Sequence, residues 1–142
     1  MNSRFSTAAH ILTLLASMPG ERLTSEFIAG SVGTNPVVIR RRLASLREAG
    51  LVESKGARGG GWTLGPDPAR ITLKMVRASL GVEAKFRMHS NDPHPRCLVG
   101  QNVRGVLEDV YEEADRAVMR SLEEWTIADM LKRVRRTSHS NR

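Results

Sequence analysis

Residues 35–65 read NPVVIRRRLASLREAGLVESKGARGGGWTLG, and this stretch decides the predicted fold. Asn35 is a favoured helix N-cap residue, and Pro36 suits the first position inside a helix. Ile39, Leu43 and Leu46 recur at i, i+4 and i+7, which gives the helix a single apolar face. The first half of the stretch therefore predicts one amphipathic helix, which the following glycine would end.

The second half of the stretch predicts a β-hairpin. Two short β segments, residues 51–55 and 62–64, flank the loop GARGGG. A glycine-rich loop that binds nucleotide phosphates lies between a strand and a helix, whereas this loop lies between two strands. The sequence therefore predicts a hairpin and no nucleotide site here.

Two further helices precede this stretch. Apolar residues recur at steps of three and four from Phe5 to Met18, before a Pro-Gly stop. A shorter helix follows Thr24, a good N-cap, and Phe27, Ile28 and Val32 are predicted to form its apolar face. A tight turn at residue 33 then leads into the helix at Pro36. Helix, short helix, turn, helix and hairpin is the order of a winged helix-turn-helix.

The rest of the chain is predicted to be helical apart from one irregular segment. A short helix spans residues 71–80, with Thr72 as its N-cap, and residues 82–98 lack periodicity. The longest helix spans residues 99–122, and a last short helix ends near Leu131. Residues 132–142 are expected to be a frayed basic tail.

The net charge of +7 is unevenly distributed. Residues 1–65 carry +4, residues 66–100 carry +3, residues 101–131 carry −5, and residues 132–142 carry +5. A basic front half is typical of a protein that faces a polyanion, although a solvated surface of mixed charge is the alternative. No apolar run is long enough to cross a bilayer, and the single cysteine excludes an internal disulfide, so a cytoplasmic location is expected.

The third helix carries the predicted DNA contacts. If its apolar face turns inward, Val37 and Arg41 point outward, with Arg40 and Arg42 beside them. Arginines can form bidentate hydrogen bonds with guanine edges or bind phosphates, and the sequence does not decide which arginine does which. Backbone N–H groups at the start of the helix and the glycine-rich wing could contact phosphates or the minor groove. The predicted DNA-binding residues are Thr34, Asn35, Pro36, Val37, Arg40, Arg41, Arg42, Arg58, Gly59 and Gly60.

The same stretch resembles the Rrf-two (Rrf2) family of bacterial winged-helix regulators. The matching motifs are Leu-x-x-Ala-Gly-Leu-Val at residues 46–52 and the glycine-rich wing followed by Trp62. The resemblance implies a double-stranded DNA-binding homodimer, joined through the long helix on a dyad-symmetric operator, and favours a repressor. The expected dimer interface comprises Val103, Leu107, Val110, Ala114, Ala117 and Val118.

The resemblance also defines the expected organisation. The fold class is mainly α with a small β-hairpin wing, a winged helix-turn-helix plus a long C-terminal dimerisation helix. Residues 1–66 would bind DNA, and residues 67–98 would form a short helix and a sensor-like loop. Residues 99–131 would hold the dimerisation helix and a terminal short helix, and residues 132–142 the basic tail.

Cys97 separates this chain from family members that hold an iron–sulfur cluster with three cysteines. It is the only cysteine, so one subunit cannot supply that ligand set, and neither a cofactor nor a metal is expected. Residues 94–102 instead resemble a cluster-free branch of the family with one cysteine before the long helix. Cys97 is then either an oxidant sensor, with Arg96 and the helix amides favouring the thiolate, or a half-buried structural thiol.

Two other functions stay open at this level. A winged-helix module could bind protein, but it would not need four arginines on one surface. A small ligand or metal sensor with incidental DNA affinity is the other alternative. No motif joins a nucleophile to catalytic partners, so an enzyme is not expected.

Overall fold

Six α-helices and one antiparallel β-hairpin form the part of the chain that the structure, a computed structural model, describes: residues 3–56, 60–81, 86 and 88–142. A single 3-10 helix, Pro68–Arg70, follows the hairpin. The elements in chain order are α1 Ser3–Ser17, α2 Ser25–Val32, α3 Pro36–Glu48, β1 Val52–Lys55, β2 Gly61–Leu64, α4 Leu73–Ser79, α5 Leu98–Glu123 and α6 Ile127–Ser140. The predicted fold class, mainly α with a hairpin wing, is confirmed.

Side-chain caps fix the N-terminus of each helix in the helix-turn-helix. The Thr24 hydroxyl accepts from the Phe27 N–H at 3.1 Å, and the Asn35 side-chain oxygen accepts from the Val38 N–H at 3.1 Å. Between the two helices Gly33 has φ +81°, a left-handed conformation that costs glycine little. The caps and the turn residue predicted from the sequence are therefore confirmed, and they set the angle at which α3 leaves α2.

A backbone bridge at Leu23 extends the wing beyond the predicted hairpin. Val52 of β1 lies opposite Leu64 of β2, and Leu23 pairs with Trp62 through N–H···O contacts of 3.0 and 2.8 Å. Gly61 sits so close to this bridge that an added Cβ would lie 3.0 Å from the Leu23 carbonyl oxygen. The wing is thus anchored to the segment between α1 and α2.

One apolar core joins the winged helix to the C-terminal half of the chain. The three predicted α3 core residues are completely buried, as are Ile71 and Ile127. The predicted inward position of Phe27 is wrong, because α2 turns Ser25, Ile28 and Ala29 to the core and leaves Phe27 50% exposed. The core residues packed in this cluster include Ile11, Leu12, Ile28, Ile39, Leu43, Leu46, Leu51, Val52, Ile71, Val76, Ile127 and Leu131.

Helix α6 corrects the predicted end of the chain. The sequence predicts a short helix ending near Leu131 and a frayed tail, whereas the helix continues to Ser140. A capping box starts it: the Thr126 hydroxyl accepts from the Asp129 N–H, and the Asp129 carboxylate accepts from the Thr126 N–H. No glycine or proline interrupts the following residues, and cations in the last turns suit the negative end of the helix dipole.

Across the described residues, no helix combines the length and the apolar character that spanning a membrane requires.

Candidate nucleic-acid interface

Helix α3 presents a polar face to solvent because its apolar face is fully used in the core. Ile39, Leu43 and Leu46 have no exposed surface, whereas Val37 is 54% exposed and Arg41 is also exposed. The residues follow the 3.6-residue period, so Val37 and Arg41 lie together one turn apart on the outer side. The orientation expected from the sequence is therefore present.

Arg40 is held by a residue of α2. Its Nη2 atom donates to the Glu26 carboxylate at 2.7 Å, and both side chains are more than half exposed. The pair links the two helices of the helix-turn-helix. It also neutralises Arg40 in the absence of DNA, which the sequence spacing alone did not indicate.

Arg42 points partly inward. Its side chain is half-buried, and its Nε atom is buried without a hydrogen-bond partner among the described residues. Burial, with the positive charges of Arg4 and Arg41, lowers the pKa of Arg42 from its usual value. Arg42 is therefore only partly on the outer face of α3.

Arg41 has neither constraint. Within the described part of the chain, its guanidinium forms no hydrogen bond or ion pair, and only its backbone carbonyl is engaged, by the Ser45 hydroxyl at 3.3 Å. The three consecutive arginines thus occupy three different environments. Arg41 is the one with all its donors available for a ligand.

The turn before α3 uses two of the backbone donors that could meet a phosphate. The Thr34 N–H donates to the Ala29 carbonyl at 3.1 Å, and the Val38 N–H donates to Asn35. Thr34, Asn35 and Pro36 therefore lie at the start of the outer face, but their clearest structural role is to shape the turn.

The wing is fixed to α3 by Arg47, a residue that the sequence analysis did not single out. Its guanidinium lies 5.8 Å from the Trp62 ring centre, and its Nη1 atom is 3.5 Å from the Ser54 hydroxyl. Gly60 lies immediately before β2 and is half-buried. The predicted contacts Arg58 and Gly59 lie outside the described residues.

Helix α5 exposes an apolar stripe. It has no fully buried residue, and Val99, Val106 and Val110 are each more than half exposed. The other side of α5 is attached to α4 through the ion pairs Arg77–Asp115 and Lys74–Glu123. The predicted interface residues line the stripe and its edge: Val110 and Ala117 are exposed, and Val103, Leu107, Ala114 and Val118 are half-buried.

Cys97 is the N-cap of α5 and is exposed. Its Sγ atom accepts from the Gly100 N–H at 3.4 Å, while the neighbouring His94 Nδ1 accepts from the Arg96 N–H at 3.1 Å. This exposure does not match a half-buried structural thiol, one of the two alternatives for Cys97, although Pro93 lies against Gly100 and the Gln101 side chain donates to the His94 carbonyl.

The Rrf2 family model, described as an iron-dependent transcriptional regulator, matches residues 1–133. The chain belongs to the Rrf2 family. It is 37% identical over 132 residues to YwnA of Bacillus subtilis, a protein named as an HTH-type transcriptional regulator, covering 92% of this chain and 96% of YwnA. This Rrf2 protein is accordingly a DNA-binding transcription regulator, and its relatives are named as regulators rather than enzymes.

Solved structures agree with the Rrf2 fold. A crystal structure described as a DNA-binding protein superposes with a TM-score of 0.73 at 33% identity, covering 91% of this chain and 99% of that one. IscR of T. potens superposes with a TM-score of 0.72 at 24% identity, covering 94% and 87% of the two chains.

The residues of this chain do not fit a cluster held by three cysteines, although the family description refers to iron. Cys97 is the only cysteine of the chain, and its sulfur is engaged with the first turn of α5. The described residues contain no group of three or more His, Cys, Asp or Glu side chains that could hold a metal ion.

Proposed function

We propose that this Rrf2 regulator reads a specific operator through α3. The observation that carries the proposal is that α3 buries one face completely while Arg41 and Val37 stay exposed on the other. A helix held this rigidly can enter a major groove without ordering new backbone. Arg41 would form a bidentate pair with a guanine, and Val37 would contact a thymine methyl group.

The residues around Arg41 would position the helix rather than specify bases. Arg40 and Arg42, with the turn residues Thr34, Asn35 and Pro36, would lie close to phosphates on either side of the groove. Arg58, Gly59 and Gly60 of the wing would follow the adjacent backbone or minor groove. Contacts of this kind fix the register of a protein on DNA without carrying sequence information themselves.

The proposed assembly is a homodimer joined through α5. The exposed valines of the stripe and the half-buried residues at its edge support this, since a helix with one free apolar face gains stability by covering it. A two-fold dimer would present two copies of α3 to a dyad-symmetric operator, with half-sites about one helical turn or a multiple of it apart.

The regulator would act as a repressor. A dimer bound across a promoter covers DNA that the polymerase needs, and no further activity is required of the protein. The resemblance that implies operator binding also favours this direction of control.

A redox response through Cys97 is a second proposal, supported by the exposure of its thiol. A thiolate would attack peroxide, break the O–O bond and leave sulfenic acid plus one molecule of water once the departing hydroxide is protonated. Condensation with a second thiol would release another water and form a disulfide. Because Cys97 caps α5, either product would disturb the start of the proposed dimer helix.

A gel-shift on the DNA upstream of the protein's own gene tests these proposals. It would be run at two salt concentrations, with and without peroxide, against excess nonspecific duplex. A specific shift of dimer size is expected, and peroxide should weaken it for the wild type but not for Cys97→Ser. Equal weakening of both would exclude the thiol mechanism. If the protein bound DNA but a genome-wide selection of bound fragments enriched no sequence, a protein-interaction module would be favoured instead.

A further inference from the structure

The C-terminal half of α6 carries a stripe of basic residues that the operator contacts do not use. Lys132, Arg135, Arg136 and His139 recur at i, i+3, i+4 and i+7, so they share one side of the helix. All four are exposed, and no acidic residue follows Asp129. The stripe extends about 10 Å along the helix axis at 1.5 Å per residue.

Four cations elsewhere in the C-terminal half differ from the stripe because acidic residues compensate them. Lys74, Arg77, Arg104 and Arg116 each form an ion pair with a carboxylate of α5. In the described part of the chain, Lys132, Arg135 and Arg136 form no salt bridge, although the carboxylates of Glu124 and Asp129 line a neighbouring concavity with Lys132 and Arg136. Mutual repulsion within the stripe opposes folding slightly, so an external anion would be favoured there.

The stripe also lines a concave surface. A groove of about 740 Å³ runs between α6 and the 3-10 helix, with Pro68 and Leu131 in its lining and the four stripe residues along it. The surface that lines this shallow groove is mostly apolar, so the charged groups of the stripe, rather than the groove itself, would meet the sugar–phosphate backbone of a duplex. The three Lys and Arg side chains of the stripe could neutralise up to three phosphates of the backbone.

The position of α6 in the fold connects the stripe to the DNA-binding unit. Helix α1 contacts both α3 and α6, so the first turns of α6 belong to the same packed body as the helix-turn-helix. The continuous helix to Ser140 holds the cations in a fixed arrangement, which a frayed tail would not do.

We propose that the stripe formed by Lys132, Arg135, Arg136 and His139 is a second DNA contact, which binds backbone phosphates outside the half-site read by α3. The contact is independent of sequence and adds to affinity and to the salt dependence of binding. The proposal rests on the proposed operator binding only for the place on the DNA where the stripe lies, because the phosphate contact itself would form on any duplex.

The test compares two triple variants with the same change in charge. Lys132→Gln/Arg135→Gln/Arg136→Gln removes the stripe, and Lys74→Gln/Arg104→Gln/Arg116→Gln removes three cations that already have acidic partners. The dependence of log Kobs on log salt concentration is measured for each full-length protein. The probes are a 30-base-pair duplex of arbitrary sequence and an operator duplex, and circular dichroism verifies the helix content.

A dimer that loses six phosphate contacts should show a salt slope reduced in magnitude by about five, because each contact contributes about 0.9. The proposal is supported if, on both duplexes, the magnitude of the salt slope falls by at least two more for the stripe variant than for the control variant. A smaller difference overturns it. Sedimentation that shows monomers for the stripe variant only would also overturn it, and would assign the stripe to the acidic α5 of a second copy.

Failure of the proposed operator recognition would give a different result from failure of the stripe proposal. If the wild type showed no preference for any operator, the proposed function would fail, while the salt slope on the arbitrary duplex would still report on the stripe. If preference for the operator over the arbitrary duplex were lost in Arg41→Ala and kept in the stripe variant, the contact of α3 and the contact of the stripe would be separable as proposed.

Discussion

Arg40 of α3 donates a hydrogen bond to Glu26 of α2 at 2.7 Å, and this ion pair distinguishes Arg40 from the two arginines that follow it. Arg40 is neutralised from the neighbouring helix, and Arg42 is half-buried. Arg41 alone of the three is exposed without a side-chain partner among the described residues. The arrangement gives Arg41 the freedom that base recognition requires.

Replacing Arg41 with alanine should weaken operator binding by about 1–3 kcal/mol and relax specificity at one base pair, because a bidentate contact is lost. The measurement is a titration of the operator and of its single-base variants. Arg70→Ala, which removes an exposed cation from the 3-10 helix, serves as the control and should leave specificity unchanged. A uniform loss on all duplexes, with the salt slope reduced by about one, would show that Arg41 binds phosphate instead.

Gly33→Ala should destabilise the protein by about 1–2 kcal/mol, because φ is +81° there and a Cβ is strained in that conformation. No atom lies within 4 Å of the added Cβ, so the cost comes from the backbone alone. Gly30→Ala is the matched control. It lies inside α2 with equally open surroundings, and alanine should stabilise that helix by up to about 1 kcal/mol. Urea unfolding measures both, and equal effects of the two substitutions would contradict this account of the turn.

The sequence was sufficient for the features that depend on local chemistry. The N-caps Thr24, Asn35 and Thr72, the turn at Gly33 and the buried face of α3 follow from residue type and spacing, and all are present.

Features that depend on a partner distant in sequence were not predictable. The Leu23–Trp62 bridge and the Arg40–Glu26 pair join elements whose relative placement only the folded chain defines. The length of α6 was missed for a different reason. Its last turns contain no apolar periodicity, so only the capping box at Thr126 and the absence of a helix breaker signal a continuing helix.

Val106→Glu should convert the proposed dimer to monomers. Val106 is 60% exposed in the middle of the α5 stripe, and a dimer would have to bury the new carboxylate without a partner. Val134→Glu introduces the same side chain on α6, where Val134 is 55% exposed, and should leave the dimer intact. Sedimentation equilibrium distinguishes the two. A Val106→Glu protein that remained dimeric would exclude the α5 stripe as the interface.

Asp129 should make the stability of α6 depend on pH. Hydrogen bonds from the backbone and side chain of Thr126, with the nearby charge of Lys132, lower the pKa of Asp129 from its usual 3.8. A carboxylate with a lowered pKa in the folded state stabilises the protein above its unfolded-state pKa, and this contribution disappears as pH falls through the folded-state pKa. Asp129→Asn should therefore be less stable than the wild type at pH 7, with the difference shrinking as pH falls below about 3.8 and vanishing only below the still lower folded-state pKa. Urea midpoints across that range measure it, and a difference independent of pH would contradict the electrostatic origin.

The central claim, sequence-specific reading through α3, is tested most directly by selecting bound duplexes from a random library with the wild type and with Arg41→Ala in parallel. The account predicts that the wild type enriches a dyad-symmetric motif with half-sites about 10 base pairs, or a multiple of that, apart. It also predicts that Arg41→Ala loses the preference at one symmetric pair of positions. Enrichment of no motif by the wild type, or of an identical motif by both proteins, would contradict it.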